Sequence, residues 1–508
     1  MKFFKHPLFI LILFFLLSRL INLTLLPVFS DEALYMEWGW REITIPGQAF
    51  HSLYDAKQPF LMWFFGLGQI IFPDPLFGSR LTSVFTGLLS LLGLWLISKK
   101  LFDQKVAILT SVLYIVIPNF IFYDRQALME SALTACSIWS LYFLIQLLQT
   151  SKFKYALYLG LVLGLGFFTK NTAVIFLISA LAIIFGYSLR EKKLFYSLSL
   201  SQIVILIVFF LVNLPLFFQP LYWQTLSSNS RWTFTLTELL RFPISQWFSN
   251  SVGNLELVIV HLTPPLFMLL LFGLWTLFKS KLVTHKLIVL WLLIPAVQYL
   301  LSLKFINFMA WRYQTPFLAL APLILALPLV RISNNFIKSL FILLPLSFSL
   351  ILIFNPILFF QIQNRVTKHS YIEGYVTGSD TGYQVNNIVK FLKDQSRTSP
   401  IVVGIGVHSF NPESGIWDYF RKDPNVTVSY LDSRLFDPQV LNNIECLSSD
   451  KPFFFIAKLD DTVGLEKYFE KVTVITNPHN SDYSTVYTFK TNCSSPPILL
   501  NLSQPITH

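Results

Sequence analysis

Residues 29–61 read FSDEALYMEWGWREITIPGQAFHSLYDAKQPFL, and where this stretch lies decides the fold of the whole chain. An apolar run from about Pro7 to Leu26 precedes it, and a second apolar segment, PFLMWFFGLGQIIF at 59–72, overlaps its end. Lys2 and Lys5 stand before the first run, so the positive-inside rule puts the N-terminus in the cytoplasm and the quoted stretch across the membrane. Two adjacent acids, Asp31 and Glu32, sit where the chain leaves the bilayer, and Asp55-Ala56-Lys57 sits near the end of the stretch. Ionisable groups at a membrane boundary are costly to desolvate and usually mark function. FSDE also reads as a helix start, with Ser30 or Asp31 as the cap and acids in the first turn. The two readings are compatible. A carboxylate at the bilayer surface, facing a closed cavity, suits a base acting on a hydroxyl.

The bulk composition agrees with a membrane protein. The chain has 508 residues, 54% hydrophobic and 13% charged, with a mean hydropathy of +0.59. Soluble domains carry about 25% charged residues. The 51 phenylalanines and 12 tryptophans suit lipid-facing helices and interfacial belts. The net charge of +11 is uneven: 25 basic and 12 acidic residues precede position 361, against 13 and 15 after it. Topology accounts for the basic excess, so no nucleic-acid partner is inferred. Cys136, Cys446 and Cys493 show no metal-ligand spacing, and Cys446 and Cys493 are candidates to pair in an oxidising compartment. The N-terminal run is too long for a simple signal peptide and reads as helix one.

Beyond the first loop, residues 59–72 are short for a span and read as an interfacial or dipping segment. Spans follow at about 77–98, 106–122, 127–149, 155–168, 172–189, 199–217, 257–278, 287–303, 315–330 and 339–360. With the first helix this makes about eleven. An outer loop at about 219–255 is read as holding an interfacial helix. Of the 12 acids before residue 361, only Asp103 and Glu191 fall on the cytoplasmic side. Acids contribute little to orientation, so their clustering points to an acid-rich outer chamber. After residue 361 the apolar runs shorten to strand length, in PIVVGIGV, VTVSYL, PFFFIAKL, KVTVITN and TVYTFK, with a helical pattern at about 383–394. GIGVHSF lacks the full phosphate-binding glycine pattern. The expected organisation is a transmembrane module, 1–360, with an exoplasmic loop at 27–58, and an exoplasmic soluble α/β domain, 361–508.

Several residues are candidates for chemistry. Lys57 beside an apolar segment suits a phosphate held at the membrane surface. In YDRQALMESALTA, residues 123–135, one continuous helix would set Glu130 about one and a half turns from Asp124 and Arg125, either as a functional acid or as an Arg–Glu structural pair. Arg80, Lys170, Arg231 and Arg312 lie at or near the outer side, each as a snorkelling residue or as part of a phosphate-stabilising set. His51, His261 and His408 have no second ligand at sensible spacing and read as structural, so no metal is predicted.

These features, in this order, resemble the polyprenyl-phosphate-sugar-dependent GT-C glycosyltransferases of family 39, which include protein O-mannosyltransferases and the lipid A aminoarabinose transferase. The likeness lies in Asp31-Glu32 after span one, and in Asp55-x-Lys57-Gln58-Pro59-Phe60, which looks like the family's D-x-H/K-P-P-L pattern. It continues in Arg80-Leu81, in Arg125-x-x-Leu128-Met129-Glu130, in Leu165-Gly166-Phe167-Phe168-Thr169-Lys170 and in Arg312-Tyr313-x-x-Pro316. Four positions depart from the family. Gln58 replaces the first proline, Glu130 stands where Asp is usual, Asn171 where Gly is usual, and Ala56 where the aminoarabinose transferase has a metal-binding glutamate.

The resemblance implies a polytopic α-helical GT-C membrane protein in the cytoplasmic (plasma) membrane, with the C-terminal domain exoplasmic. It implies a glycosyltransferase that moves a sugar, with inversion, from a polyprenyl (undecaprenyl or dolichyl) phosphate to a hydroxyl on a protein, lipid or glycan acceptor. Asp31 would be the base, with Glu32 and Glu130 beside it; Lys57, Arg312, Tyr313, Lys170 and Arg80 would hold the donor phosphate. Asp55, Asp124 and Arg125 would position the acceptor or the loop, and no cofactor is required. Two other readings stand beside it: a lipid-sugar transporter or flippase, and a non-catalytic glycan-binding relative.

Overall fold

Ten helices, α1 to α10, open the chain in the computed structural model: Pro7–Leu20, Ser30–Thr44, Phe60–Ile71, Pro75–Leu101, Gln104–Val116, Pro118–Asp124, Glu130–Thr150, Phe153–Thr169, Val174–Arg190 and Phe195–Phe217. The structure describes residues 6–230, 234–241, 243–280, 282–292, 294, 311–367, 371–406, 413–431, 451–457 and 468–490. Among them, five helices are long and apolar enough to cross a membrane, or up to seven if each of two bent pairs is one span. Four further apolar helices have 10–17 residues, short of the ~20 that a bilayer crossing needs. A count of eleven therefore requires the shorter helices to span. Expected span nine, 287–303, lies largely outside the described residues, as do Arg231, His408, Cys446 and Cys493.

Two expected spans each fall on two helices: 257–278 crosses the 103° bend between Ile244–Leu262 and Pro264–Lys279, and 106–122 divides into α5 and α6. α5 and α6 meet at a 66° bend. Ile117 precedes Pro118, and the proline ring drives the residue before it out of the helical region; Ile117 is extended, at φ −71° and ψ 123°. The chain then turns through residues 125–129, and α7 starts at Glu130. The continuous helix expected over 123–135 is therefore absent, and so is the Arg125–Glu130 pairing that it would have allowed.

The quoted stretch is largely helical. α2 crosses α3 where two glycines face each other. A Cβ on Gly66 would meet the Gly39 carbonyl carbon at 2.6 Å and Ile43 Cδ1 at 2.8 Å, so the two backbones touch with no room for a side chain. α3 packs in turn against α4.

After the helices Asn335–Phe354 and Pro356–Val366 the fold changes, as the shortened apolar runs predict. The second of these helices runs across the expected boundary at 361. The helix expected at 383–394 is Tyr383–Ser396, and its buried Val385, Ile388, Val389 and Leu392 carry the helical period. All five apolar runs become strands: β1 Ile401–Gly406, β2 Val426–Leu431, β3 Phe453–Ala457, β4 Phe469–Thr476 and β5 Tyr483–Phe489. They form one sheet in the order β2-β1-β3-β5-β4. β1 is parallel to β2 and β3, while β5 is antiparallel to β3 and β4. The tail shares one apolar core with the helical part: Val28, Ala33 and Met36 pack in the same cluster as Leu352, Phe360, Tyr375, Val385 and Ile388.

The α2–α3 contact predicts that Gly66→Val is destabilising. Overpacking against backbone should cost ~1–3 kcal/mol, read as a lowered thermal unfolding midpoint of the purified full chain.

Candidate active site

Two arginines shape the turn between α1 and α2. Arg125 donates from Nη1 to the carbonyls of Ser18 and Arg19, at 3.1 Å each, and of Ile21 at 2.7 Å, and from Nη2 to that of Asn22 at 2.6 Å. These carbonyls lie in the last turn of α1 and just beyond it, where a cation also meets the negative end of the helix dipole. Arg80, on α4, donates from Nη1 to Leu23 O at 2.8 Å and Leu26 O at 2.7 Å, and from Nη2 to Pro27 O at 3.1 Å. Its remaining reach goes to Glu32, in a fork of 2.9 Å from Nε to Oε1 and 2.6 Å from Nη2 to Oε2. Both side chains are essentially fully buried. Arg80, expected at the donor phosphate, thus lies in the core with its donors engaged.

Glu32 is also the residue that caps α2. It occupies the third helical position, and its Oε2 accepts the Phe29 N–H at 3.1 Å. Its Oε1 accepts the Ala127 N–H at 2.6 Å, which ties in the turn before α7. A second buried pair lies below. Arg19 donates to Asp124 Oδ2 at 3.2 and 3.1 Å, and Asp124 Oδ1 accepts from Tyr114 Oη at 3.1 Å and Ser131 Oγ at 2.8 Å.

Capping by Glu32 leaves Asp31 free to face elsewhere. Its carboxylate pairs with Arg312 and remains 27% exposed. Arg312 Nη2 donates to Tyr313 Oη at 3.1 Å, and its guanidinium lies over the Tyr313 ring at 4.9 Å. Lys170 Nζ sits over the other partner of this cluster, 4.2 Å from the Tyr313 ring centre, and donates to Glu130 Oε1 at 2.8 Å. Lys170 lies where α8 ends and Glu130 opens α7, so α7 and the α8–α9 turn are pinned together. Lys57 lies 3.5 Å from Asp55, both partly exposed. Burial alone would raise the Asp31 carboxyl; Arg312 first, then Lys57 and Lys170, outweigh it and hold Asp31 below its ordinary value. The structure therefore brings Asp31, Lys57, Lys170, Glu130, Arg312 and Tyr313 into one electrostatic neighbourhood. Glu32, Arg80, Asp124 and Arg125 are instead buried and form a brace.

One contributor went unnoticed in the sequence. Glu42, at the far end of α2, is a buried carboxyl pushed up to about 8 by burial. Its Oε1 accepts the Ser52 N–H at 2.9 Å, and Ser52 Oγ donates to Lys57 O at 3.0 Å, so Glu42 holds the loop that carries Lys57. In EWGWRE a glutamate reads as an ordinary exposed helix charge, and only the return of the chain at 51–57 buries it. Among the described residues, no group of three or more His, Cys, Asp or Glu side chains is arranged to hold a metal ion.

This helical architecture is the GT-C fold of glycosyltransferases, as the sequence motifs imply. Within it, residues 56–223 match the family model described as dolichyl-phosphate-mannose-protein mannosyltransferase. Among solved structures, ArnT from Cupriavidus metallidurans in the apo state superposes with a TM-score of 0.63 at 13% identity, over 94% of this chain and 97% of that one. The same protein bound to undecaprenyl phosphate gives 0.59 at 13% identity, over 98% and 99%. The archaeal oligosaccharyltransferase AglB from Archaeoglobus fulgidus, in complex with an inhibitory peptide and a dolichol-phosphate, gives 0.52 at 14% identity, over 95% and 74%. At such identities the likeness establishes the fold. No curated protein matches the chain by sequence.

The brace yields a prediction. Glu32→Ala leaves Arg80 buried without its counter-charge and should cost ~3–5 kcal/mol, read as loss of folded protein or a strongly lowered unfolding midpoint. Exposed Lys471→Ala is the unaffected control.

Proposed function

We propose that this chain is an integral membrane glycosyltransferase. It transfers a sugar, with inversion, from a polyprenyl phosphate to an acceptor hydroxyl on the non-cytoplasmic face, and Asp31 is the general base. The observation that carries this reading is a partly exposed carboxylate lying in the field of three cations, Arg312, Lys57 and Lys170. A base for a hydroxyl needs an ionised carboxylate, and a departing lipid phosphate needs cations beside it; both needs meet here. The complexes of similarly folded proteins with undecaprenyl phosphate and dolichol-phosphate favour a donor of this class.

In this mechanism the acceptor oxygen gives its proton to Asp31 and attacks the anomeric carbon. The bond from that carbon to the phosphate oxygen breaks, and the lipid phosphate leaves with its negative charge. Lys57 and Arg312 hold the phosphate, with Lys170 and Tyr313 completing the set. Glu130 keeps Lys170 in place. At an effective dielectric of about 20, one cation 4 Å from the phosphate contributes roughly 4 kcal/mol of raw Coulomb energy before desolvation. Two such contacts suffice to matter in a transition state. Arg80 and Glu32 act at a distance from the chemistry, by fixing the helix that presents Asp31.

Asp31→Asn should lower transfer ~10²–10⁴-fold with folding intact. The assay is mass spectrometry of cells: a lipid-linked sugar accumulates and a glycoconjugate loses its modification. Unimpaired transfer in folded Asp31→Asn overturns the mechanism. A second test uses pH. Arg312 is the strongest influence holding the Asp31 carboxyl low, so Arg312→Gln leaves burial less opposed and raises it. The acid limb of kcat/KM should then move to higher pH, as well as the maximum rate falling.

A further inference from the structure

We infer that the C-terminal tail is a working part of the active site, in which Tyr375, Asp380 and Gly382 position the catalytic base by fixing the backbone at Val28–Ser30. The inference rests on the reading of Asp31 as that base.

A helix begins with N–H groups that have no partner inside it. In α2 one of them is met from the tail: the Ser30 N–H donates to the Asp380 carbonyl at 3.1 Å. Ser30 is the immediate neighbour of Asp31, so this bond sets the peptide from which the carboxylate is presented. The next anchor is aromatic. Phe29 stacks on Tyr375 with ring centres 4.6 Å apart, and Tyr375 is itself stacked on Phe360 at 5.3 Å and set edge-on to Phe122 at 4.9 Å. The third anchor is close packing. A Cβ on Gly382 would meet the carbonyl oxygen of Val28, its nitrogen at 2.7 Å and Pro27 Cβ at 2.9 Å, so any side chain there must push the 27–28 backbone away.

The tail grips α2 again one helix turn and more further on. Tyr430 Oη donates to Glu37 Oε2 at 2.7 Å, and Arg41 lies over the Trp417 ring at 5.0 Å. Lys422 Nζ donates to Gln69 O at 2.8 Å, and Gln69 Nε2 donates to Met36 O at 2.9 Å, which closes a loop of contacts from tail to α3 to α2. Position along and around the axis of α2 is thus set by tail contacts at its first residue, Ser30, and further along at Glu37 and Arg41. The phosphate-binding set comes from elsewhere: Lys57 from the 51–57 turn, Lys170 from the end of α8, and Arg312 from the segment before the Thr315–Arg331 helix. A change at Gly382 should therefore disturb the base and spare the phosphate.

The test uses the full-length membrane protein with Gly382→Val, Tyr375→Ala and Tyr375→Phe, and Lys471→Ala as control. Turnover is measured with the lipid-phosphate sugar that accumulates in cells lacking the protein, and product-phosphate binding with undecaprenyl phosphate. Hydrogen exchange is followed in the peptide covering 28–36. Expected for Gly382→Val and Tyr375→Ala is a fall in kcat of ~10-fold or more, because a misplacement near 1 Å is enough for such a loss. Donor KM and undecaprenyl phosphate affinity stay within about twofold, and exchange at 28–36 rises. Tyr375→Phe keeps the ring and should restore both turnover and protection. If Gly382→Val does not fold, the Tyr375 pair decides. The inference is overturned if kcat is unchanged in both disruptive variants, or if it falls equally in Lys471→Ala. Retained transfer in Asp31→Asn sinks the base assignment itself; a dead Asp31→Asn beside fully active Gly382→Val and Tyr375→Ala sinks only the role of the tail.

Discussion

The ion pair between Glu32 and Arg80 is the contact on which the site depends. Neither side chain is reachable by water, and a charge taken out of water is tolerated only when every polar atom finds a partner. Here that demand is met by backbone. Arg80 collects three carbonyls from the turn after α1, and Glu32 collects N–H groups from Phe29 and Ala127. A buried pair of this kind adds little net stability compared with apolar replacements, but its geometry is demanding. Four separate segments must arrive together before the two charges are satisfied. The pair therefore specifies one arrangement of α1, α2, α4 and the turn before α7.

That constraint explains why adjacent acids have unlike fates. On a helix, neighbouring side chains point about 100° apart, so one carboxylate turned into the bundle sends the other away from it. Glu32 is taken by the core, and Asp31 meets Arg312 at a partly open surface. From sequence, Ser30 or Asp31 reads as the cap and Asp31 as the base with Glu32 beside it, whereas the residue that caps α2 is Glu32. The dipeptide carries no mark that separates them, because the distinction lies in which partner each direction offers. Arg80 departs from its expected role for a similar reason. An arginine near the outer end of a span looks the same whether it faces a phosphate or a row of carbonyls, and the carbonyl row exists only once α1 has ended and the chain has turned.

The features legible beforehand were those with a local period or a local breaker. The five strands, the Tyr383–Ser396 helix and the Lys170 turn were all readable from spacing. The break at Pro118 was available in the sequence too, but an unbroken apolar run outweighed it. Long-range pairings were not legible. Arg19 with Asp124 and Glu130 with Lys170 join residues 105 and 40 positions apart. Only the packing of the bundle selects them.

A base that is held low by a cation is a weak base, so the pairing of Asp31 with Arg312 by itself works against the proposed chemistry. The conflict resolves once the donor is considered. A phosphate competes for the same guanidinium, because planar Arg donors suit phosphate oxygens as well as carboxylates. If Arg312 turned toward the phosphate, as the proposed mechanism asks, Asp31 would lose its strongest stabilising partner while its burial remained. Its proton affinity would then rise in the step that the proposed mechanism assigns to it. Under the proposed mechanism Arg312 would thus do two jobs in sequence, first restraining the carboxylate and then binding the leaving group.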